Sequence, residues 1–219
     1  MQAIKVFLLI RKDFRLEWRN KFAIGGVVLY LVSTMFVTYL AFDGSIELQT
    51  WNALFWLIML FAAMHAILKS FIQESENRQL YYYMLASGRE IIASKIMYNS
   101  LLMVTLSLAG LLLFMAFMGN PIQNLTVFLL NMLLGVVGFA VVLTLISAIA
   151  SKAKNNFTLM AVLGFPLVLP LLLLVIRVSD AGLAGIPLAE AAPDILIILL
   201  LIFIAFALSM VLFPYIWRE

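Results

Sequence analysis

The stretch Leu68–Lys95, LKSFIQESENRQLYYYMLASGREIIASK, is the longest polar interruption between the apolar runs of this chain. Glu74 and Arg78 are four residues apart with the acid first, an orientation that stabilises a helix. The same short helix would carry one apolar face formed by Leu80, Tyr83 and Met84. Ser87 and Glu90 then form an S-x-x-E capping box, which predicts that a new helix begins before the next apolar run. The stretch therefore predicts a short amphipathic helix, a turn and a second helix, which together form a surface docking element.

Two simpler interpretations of this stretch remain open from its residues alone. It can be a solvated loop between two membrane helices, charged only because it lies in water. It can also be a basic, aromatic helix that lies on lipid headgroups. The choice between these interpretations and a docking element depends on the rest of the chain.

The composition indicates an integral membrane protein. Of the 219 residues, 65% are hydrophobic and only 11% are charged, and the mean hydropathy is +1.12. A soluble domain of this size could not bury so much apolar surface. Because a span needs roughly 20 apolar residues, the chain has room for about six helices and no soluble domain. The sequence contains no cysteine, which excludes disulfides, thiolate metal sites and a cysteine nucleophile.

The first 21 residues predict a basic amphipathic helix that lies in the membrane interface. Its apolar side chains are Ile4, Phe7, Leu8, Phe14 and Trp18, and its basic side chains are Lys5, Arg11, Lys12, Arg15 and Arg19. Trp18 is expected at the depth of the headgroups. An ordinary charged segment ahead of the first span is the alternative.

Six apolar runs predict an all-α membrane protein with a single transmembrane domain, residues 1–219. The predicted spans are about 22–42, 51–68, 96–118, 125–150, 157–176 and 195–217, with the interfacial helix at 1–21 and the docking segment at 69–95. A longer loop is predicted at Arg177–Asp194, between the fifth and sixth spans.

The distribution of Lys and Arg predicts the orientation. The N-terminal flank carries six of them, the stretch Leu68–Lys95 four, and the polar break Ser151–Asn156 two. The three loops on the other side carry only Arg177. Because basic residues concentrate in cytoplasmic loops, both termini and the docking segment are predicted to face the cytoplasm.

Few residues within the spans suggest chemistry. His65 is the one histidine; we interpret it as a structural residue bonded to a neighbouring helix, with an axial haem ligand as the alternative. Pro166 and Pro170 predict a kinked or broken fifth span and a candidate hinge. Gly135 and Gly138 predict a close helix contact. The sequence has no phosphate-binding loop, no H-E-x-x-H motif and no Ser/His/Asp arrangement, so we expect no catalytic or metal site and no enzymatic activity.

These features together resemble the ABC-2 type exporter permeases and, more narrowly, the CcmB family, haem exporter protein B of system I cytochrome c maturation. The resemblance lies in four stretches spread over nearly the whole chain: Arg11–Lys21 (RKDFRLEWRNK), Lys69–Lys95 with its S-F-x-x-E-x-E-x-x-x-L core, Gly135–Ala150, and Gly164–Leu174 (GFPLVLPLLLL). One departure lies at Asn77–Arg78, where the family pattern has a small residue or glycine. It bears on the local turn and not on the family.

The resemblance implies a permease subunit of a bacterial inner-membrane complex, present as a homodimer. Its implied partners are a separate ATPase, CcmA, together with CcmC and CcmD. Such a complex uses ATP hydrolysis to export haem or to release the haem-loaded chaperone CcmE. No cofactor is assigned to the chain itself, and haem enters only as a cargo. The residues expected to couple to the ATPase are Glu74, Glu76, Arg78, Leu80, Tyr83 and Met84.

Two other functions remain open. A permease of this kind could export lipid, polysaccharide or drug, and a membrane scaffold could hold partner proteins without transport. The spans carry few polar residues, among them Asn99, Ser100 and Asn131, and His65 is the one ionisable group expected inside them. A hydrophilic cargo would leave polar groups unpaired at about 1–3 kcal/mol each. We therefore expect a flat, largely apolar cargo, or no passage through the chain.

Overall fold

A computed structural model describes residues 2–19, 21–44, 46–72, 86–151 and 156–218, and these residues form seven α-helices. In chain order they are α1 (Gln2–Arg19), α2 (Lys21–Phe42), α3 (Leu48–Ile72), α4 (Gly88–Met118), α5 (Leu125–Ala150), α6 (Asn156–Leu183) and α7 (Leu188–Arg218). No strand occurs within these ranges. The prediction of an all-α protein is confirmed.

Six helices are long and apolar enough to cross a membrane, counted over the part of the chain that the structure describes. Their apolar segments are Gly25–Phe42, Leu48–Ile67, Gly88–Met118, Leu125–Ala150, Val162–Leu183 and Leu188–Tyr215. The chain is therefore a multi-pass membrane protein, as predicted. Helices α3, α4, α6 and α7 extend beyond the predicted limits of their spans.

The loop predicted at Arg177–Asp194 is wrong over most of its length. Helix α6 continues to Leu183 and α7 begins at Leu188, so only a short turn separates them. Three of the four charged residues in this stretch are instead paired on the helices. Arg177 Nε lies 3.0 Å from Asp194 Oδ2, and Asp180 Oδ1 accepts a hydrogen bond from Asn52 Nδ2 at 2.6 Å. Isolated charged residues within an apolar stretch do not end a helix.

Helix α5 lies at the centre of the bundle and packs against α3, α4, α6 and α7. Two glycines allow its neighbours to come close. A Cβ atom on Gly135 would lie 2.7 Å from the Trp56 ring of α3 and 2.8 Å from Val175 of α6. A Cβ atom on Gly138 would lie 2.6 Å from Leu171 of α6. The close contact predicted at these two glycines is confirmed.

Aromatic side chains fill the core beside α5. Six of them, from α3, α4 and α5, are almost fully buried and contact one another: Trp51, Phe55, Trp56, Phe114, Phe128 and Phe139. Edge-to-face ring contacts contribute about 0.5–1.5 kcal/mol per pair beyond the area they bury. The cluster therefore holds the first half of α3 firmly against α4 and α5.

Helix α6 is continuous through Pro166 and Pro170, so the fifth span is not broken, and a kink there remains a prediction. Both prolines lie on the exposed face of the helix. Each lacks the N–H that would bond to the carbonyl one turn earlier, so α6 has fewer backbone hydrogen bonds at this level. The hinge at these residues remains a prediction.

We expect Gly135→Ala to destabilise the protein, because the new methyl group would overlap the Trp56 ring and Val175, which are both fully buried. Overpacking of this kind costs about 1–3 kcal/mol. Gly25→Ala is the matched control, since no atom lies within 4 Å of its Cβ position. The melting temperature of the detergent-purified protein is the measurement. A Gly135→Ala variant as stable as Gly25→Ala would contradict the close contact.

Candidate functional site

The predicted docking segment lies between α3 and α4, and the structure describes its two ends. Helix α3 ends at Ile72, and α4 begins at Gly88. All the residues predicted to couple to an ATPase lie outside the described residues: Glu74, Glu76, Arg78, Leu80, Tyr83 and Met84. Their role remains a prediction, and the candidate site is built from the start of α4 and its surroundings.

The start of α4 is fixed by the capping box that the sequence predicts. The Ser87 hydroxyl accepts a hydrogen bond from the Glu90 backbone N–H at 3.4 Å. Glu90 Oε2 in turn accepts from the Ser87 backbone N–H at 2.8 Å and from the Ser87 hydroxyl at 3.0 Å. These bonds satisfy N–H groups that have no partner within the first turn of a helix. Helix α4 therefore begins at a defined residue within the docking segment.

Helix α7 closes one side of this start. Gly88 lies so near Pro214 of α7 that a Cβ atom on the glycine would be 3.2 Å from the proline Cα. A second apolar cluster surrounds this contact, with the buried residues Ile91, Ile92, Ile96, Val141, Ala148 and Phe213. Leu9 of α1 packs against the same cluster. The start of α4 is thus enclosed by α1, α5 and α7.

A buried ion pair joins α1 to the first turns of α4. Lys95 Nζ lies 3.3 Å from Asp13 Oδ1, and the two side chains are only 7% and 6% exposed. Lys12 Nζ lies 3.1 Å from the same oxygen on the more exposed side. Burial of an ion is costly unless it has a partner, so both buried charges require this arrangement. The pair therefore fixes the position of α1 along α4.

The structure buries two charged residues, Asp13 of α1 and Lys95 of α4, whose burial was not predicted. Helical spacing is the sequence pattern that could have indicated the burial of both residues. Asp13 follows the inward-facing Leu9 by four residues, and Lys95 follows the buried Ile91 by four residues. Each charged residue therefore lies on the apolar, protein-facing side of its helix.

Helix α1 carries the two surfaces expected of an interfacial helix. Its exposed apolar side chains are Phe7, Leu8 and Phe14. Arg11 and Arg15 are exposed as well, whereas Lys12 is half-buried beside Asp13. The side chain of Trp18 lies outside the described residues. The helix itself is confirmed, and its position in the membrane interface remains a prediction.

His65 lies on the exposed side of α3, where its ring centroid is 5.0 Å from that of Tyr30 in α2. A contact between rings of neighbouring helices is compatible with a structural role, which remains a prediction. Among the residues that the structure describes, no group of three His, Cys, Asp or Glu side chains could hold a metal ion.

Buried amides bind neighbouring helices. Asn99 Nδ2 of α4 donates to Thr144 Oγ1 of α5 at 2.9 Å, and Asn131 Nδ2 of α5 donates to the Val175 carbonyl of α6 at 2.7 Å. Both asparagines are at most 1% exposed. These two polar residues of the spans therefore hold helices together and do not line a passage.

An apolar groove of about 770 Å³ opens between α4, α5 and α7. Apart from Ser100 its lining is apolar, with Met97, Leu101, Val137, Val141, Leu199 and Phe203 among the residues that form it. This volume is within the range of small-molecule sites, roughly 300–1,000 Å³. The groove offers an apolar ligand contact area and almost no hydrogen bonds.

A comparison with models of known protein families matches residues 4–215 to the family described as CcmB protein. The matched range includes the docking segment and the start of α4, and it leaves only a few residues at each end. No curated protein matches the chain.

We expect Lys95→Met to destabilise the protein strongly, because it leaves Asp13 buried beside only the more exposed Lys12. Removing one partner of a buried ion pair costs about 3–5 kcal/mol. Asp13→Leu combined with Lys95→Met should recover most of the loss, since apolar side chains can replace a buried pair.

Melting temperatures of the wild type, both single variants and the double variant measure the coupling between the two residues. Arg11→Met, on the exposed side of α1, is the control and should change stability by no more than about 0.5 kcal/mol. If the two single effects simply add in the double variant, the ion pair does not hold α1 to α4.

Proposed function

The chain belongs to the CcmB family, and we propose that it is the permease subunit of an ABC transporter complex. Proteins of this family are membrane components of haem export and cytochrome c maturation. In the proposed complex a separate ATPase subunit, CcmA, hydrolyses ATP. The permease couples this hydrolysis to haem export or to release of the haem-loaded chaperone CcmE. CcmC, CcmD and a second copy of the chain complete the complex.

The enclosed start of α4 is the observation that supports this proposal best. A docking segment can transmit a displacement only if the helix after it begins at a fixed residue and is held by its neighbours. Ser87 and Glu90 fix the first turn, Pro214 closes one side, and Lys95 bonds α1 through Asp13. A force on the segment before Ser87 would therefore move α4 together with α1 and α7.

The proposed orientation has both termini and the docking segment in the cytoplasm, at a bacterial inner membrane. It is supported by the excess of Lys and Arg on that side of the chain. An ATPase subunit works in the cytoplasm, so this orientation brings the segment 69–95 within its reach. Arg11 and Arg15 of α1 would then meet the headgroups of the cytoplasmic leaflet.

We assign the moving part to α6. The end of this helix is bound to α3 and α5, since the Val175 carbonyl accepts from Asn131 and the Ile176 carbonyl accepts from Asn52. Pro166 and Pro170 lie one to three turns before these bonds, where the backbone has lost two of its own. A bend at the prolines would therefore move the first half of α6 while its end stays in place.

Haem is a cargo in this proposal and not a resident cofactor of the chain. His65 lies against Tyr30 on the exposed side of α3, apart from the groove between α4, α5 and α7. We therefore propose no catalytic residue, no metal ligand and no haem ligand. ATP hydrolysis belongs to the partner subunit.

Export of a different cargo is the second candidate, and the apolar groove is the observation that favours it. The walls of the groove carry only one hydroxyl group, so a lipid or a flat apolar drug fits them. A polysaccharide would leave its polar groups unpaired there. A membrane scaffold without transport would need neither the groove nor a hinge. Haem staining of c-type cytochromes separates the first function from both alternatives.

We expect Glu74→Lys combined with Glu76→Lys to leave the protein inserted but to weaken its co-purification with CcmA. The change reverses two charges in the proposed contact, and charges of the wrong sign cost several kcal/mol at an interface. Recovery of CcmA with the tagged chain should therefore fall about tenfold or more. Recovery and the ATPase activity of the purified complex are the measurements.

The matched control for this variant is Glu47→Lys combined with Glu190→Lys. It makes the same change of charge on two exposed residues at the opposite end of the bundle. Equal recovery of CcmA with both double variants would contradict a coupling role for the docking segment.

We expect Pro166→Ala combined with Pro170→Ala to lower cytochrome c maturation while the complex still assembles and hydrolyses ATP. Alanine restores two backbone hydrogen bonds and favours an internal helix position by about 3 kcal/mol over proline, so the hinge becomes stiff. Haem staining of c-type cytochromes in cells that carry each variant is the measurement.

Two controls accompany the proline variant. Pro121→Ala with Pro187→Ala changes two prolines that lie outside the helices and should leave maturation unchanged. His65→Ala should retain most maturation if the histidine is structural. Full maturation with both helical prolines replaced would remove the case for a hinge. Lost maturation with His65→Ala, at a normal protein level, would make this residue a ligand or a relay.

A further inference from the structure

Three fully buried polar side chains meet between α3, α5 and α6. They are Asn52 of α3, Asn131 of α5 and Ser179 of α6, and each is 0% exposed. Asn52 Oδ1, Asn131 Oδ1 and Ser179 Oγ have no hydrogen-bond partner in the protein. Buried polar atoms of this kind are few in folded proteins and usually mark a bound water or ion. Three of them on three adjoining helices require an explanation.

The orientation of both amides is fixed by the bonds that their nitrogens donate. Asn52 Nδ2 donates to the Ile176 carbonyl at 2.9 Å and to Asp180 Oδ1 at 2.6 Å. Asn131 Nδ2 donates to the Val175 carbonyl at 2.7 Å. An amide oxygen cannot donate, so neither side chain can be turned over without losing these bonds. The two Oδ1 atoms are therefore acceptors that need a donor.

The three side chains lie at the same level of α6. Asn131 binds α6 at Val175, and Asn52 binds it at Ile176 and Asp180, so both amides contact the same face of that helix. Ser179 belongs to this face, because it follows Val175 by one turn and immediately precedes Asp180. Ser179 is therefore within about one turn of the residues that both amides bind.

Tight packing closes this place on both sides along the helices. One turn before it, Trp56 and Val175 are in contact across Gly135, whose Cβ position lies 2.7 and 2.8 Å from them. On the other side, Phe128 packs against Gly182, whose Cβ position lies 3.1 Å from the phenylalanine. Trp56, Val175 and Phe128 are all fully buried. A guest must be small and must supply hydrogen-bond donors or positive charge.

We propose that this site binds internal water, with at least one ordered molecule bridging Asn52, Asn131 and Ser179. A water can donate to both amide oxygens and exchange a hydrogen bond with the hydroxyl, and buried waters typically make about three such bonds. A sodium ion would also suit oxygen ligands. The same stretch of α3, however, carries two buried indole N–H groups without an acceptor, on Trp51 and Trp56. A ligand that both donates and accepts hydrogen bonds fits these surroundings better than a cation does.

The site lies beyond the proposed function and does not depend on it. Its water completes the polar contacts that bind the end of α6 to α3 and α5. Because water-mediated hydrogen bonds are nearly as favourable as direct ones, the junction is a firm one.

Ser179→Ala tests the proposal, because the two alternatives differ in the sign of its effect. If the hydroxyl binds a water, its loss removes a hydrogen bond and lowers the melting temperature of the purified protein by about 2–4 °C. If the hydroxyl is buried without a partner, its loss leaves the melting temperature unchanged or raises it. The matched control is Ser107→Ala, whose hydroxyl is equally buried and donates within its own helix to the Val104 carbonyl at 3.0 Å. A Ser179→Ala variant at least as stable as the wild type overturns the proposal.

Two further measurements identify the guest. Melting temperatures in sodium, potassium and choline chloride at equal ionic strength should agree, and a rise in sodium alone would overturn water in favour of a cation. A high-resolution cryo-EM map of the full complex should show a peak within hydrogen-bond distance of Ser179 Oγ and one amide oxygen. That peak should be absent from the Ser179→Ala variant. Continuous side-chain packing without a peak, in a map that resolves other buried waters, would overturn the site.

Discussion

The contact of α3 and α6 with the glycine surface of α5 is the interaction on which the rest of the bundle depends. Lipid is as apolar as the helices, so burial alone does not drive membrane helices together, and close packing and polar bonds must do so. Gly135 lets Trp56 and Val175 approach from two sides. Only at this distance can Asn131 and Asn52 reach the carbonyl groups of α6. The close contact and the polar bonds therefore depend on each other.

Polar bonds are concentrated near the two ends of the bundle. At one end the capping box of Ser87 and Glu90 fixes the start of α4, and the pair of Lys95 with Asp13 joins α1 to α4. At the other end Asn52 and Asp180 join α3 to α6. This arrangement secures both ends of the bundle and leaves the stretch of α6 that carries the prolines to respond to motion of its neighbours.

The parts of this structure that depend on local residue order could be predicted from the sequence. The number of spans follows from hydropathy, and the cap of α4 follows from the spacing of Ser87 and Glu90. Both features are determined by residues that are close together in the sequence. The loop expected at Arg177–Asp194 was wrong because a few charged residues within two apolar helices were interpreted as a break between them.

Local sequence patterns could not predict contacts between residues that are far apart in the chain. Lys95 and Asp13 are 82 residues apart, and nothing in either neighbourhood specifies the other. Helical spacing could still have indicated that each charge faces the protein, because both lie on the inward side of their helices. Spacing thus locates a buried charge, whereas only the packing of two helices identifies its partner. The buried amides follow the same rule: their place within apolar spans was visible, and their carbonyl partners on α6 were not.

The position of the prolines separates a moving permease from a passive scaffold. Lipid cannot replace the hydrogen bonds that Pro166 and Pro170 remove from the helix. Both rings lie on the exposed face, so they contribute little to the packing of the core. A scaffold would gain stability from alanine at either position, because alanine restores the bond without loss of a buried contact. A subunit that must change conformation gains a place where α6 can bend, next to an end that Asn52 and Asn131 hold. The prolines therefore fit a cycle of motion better than a fixed support.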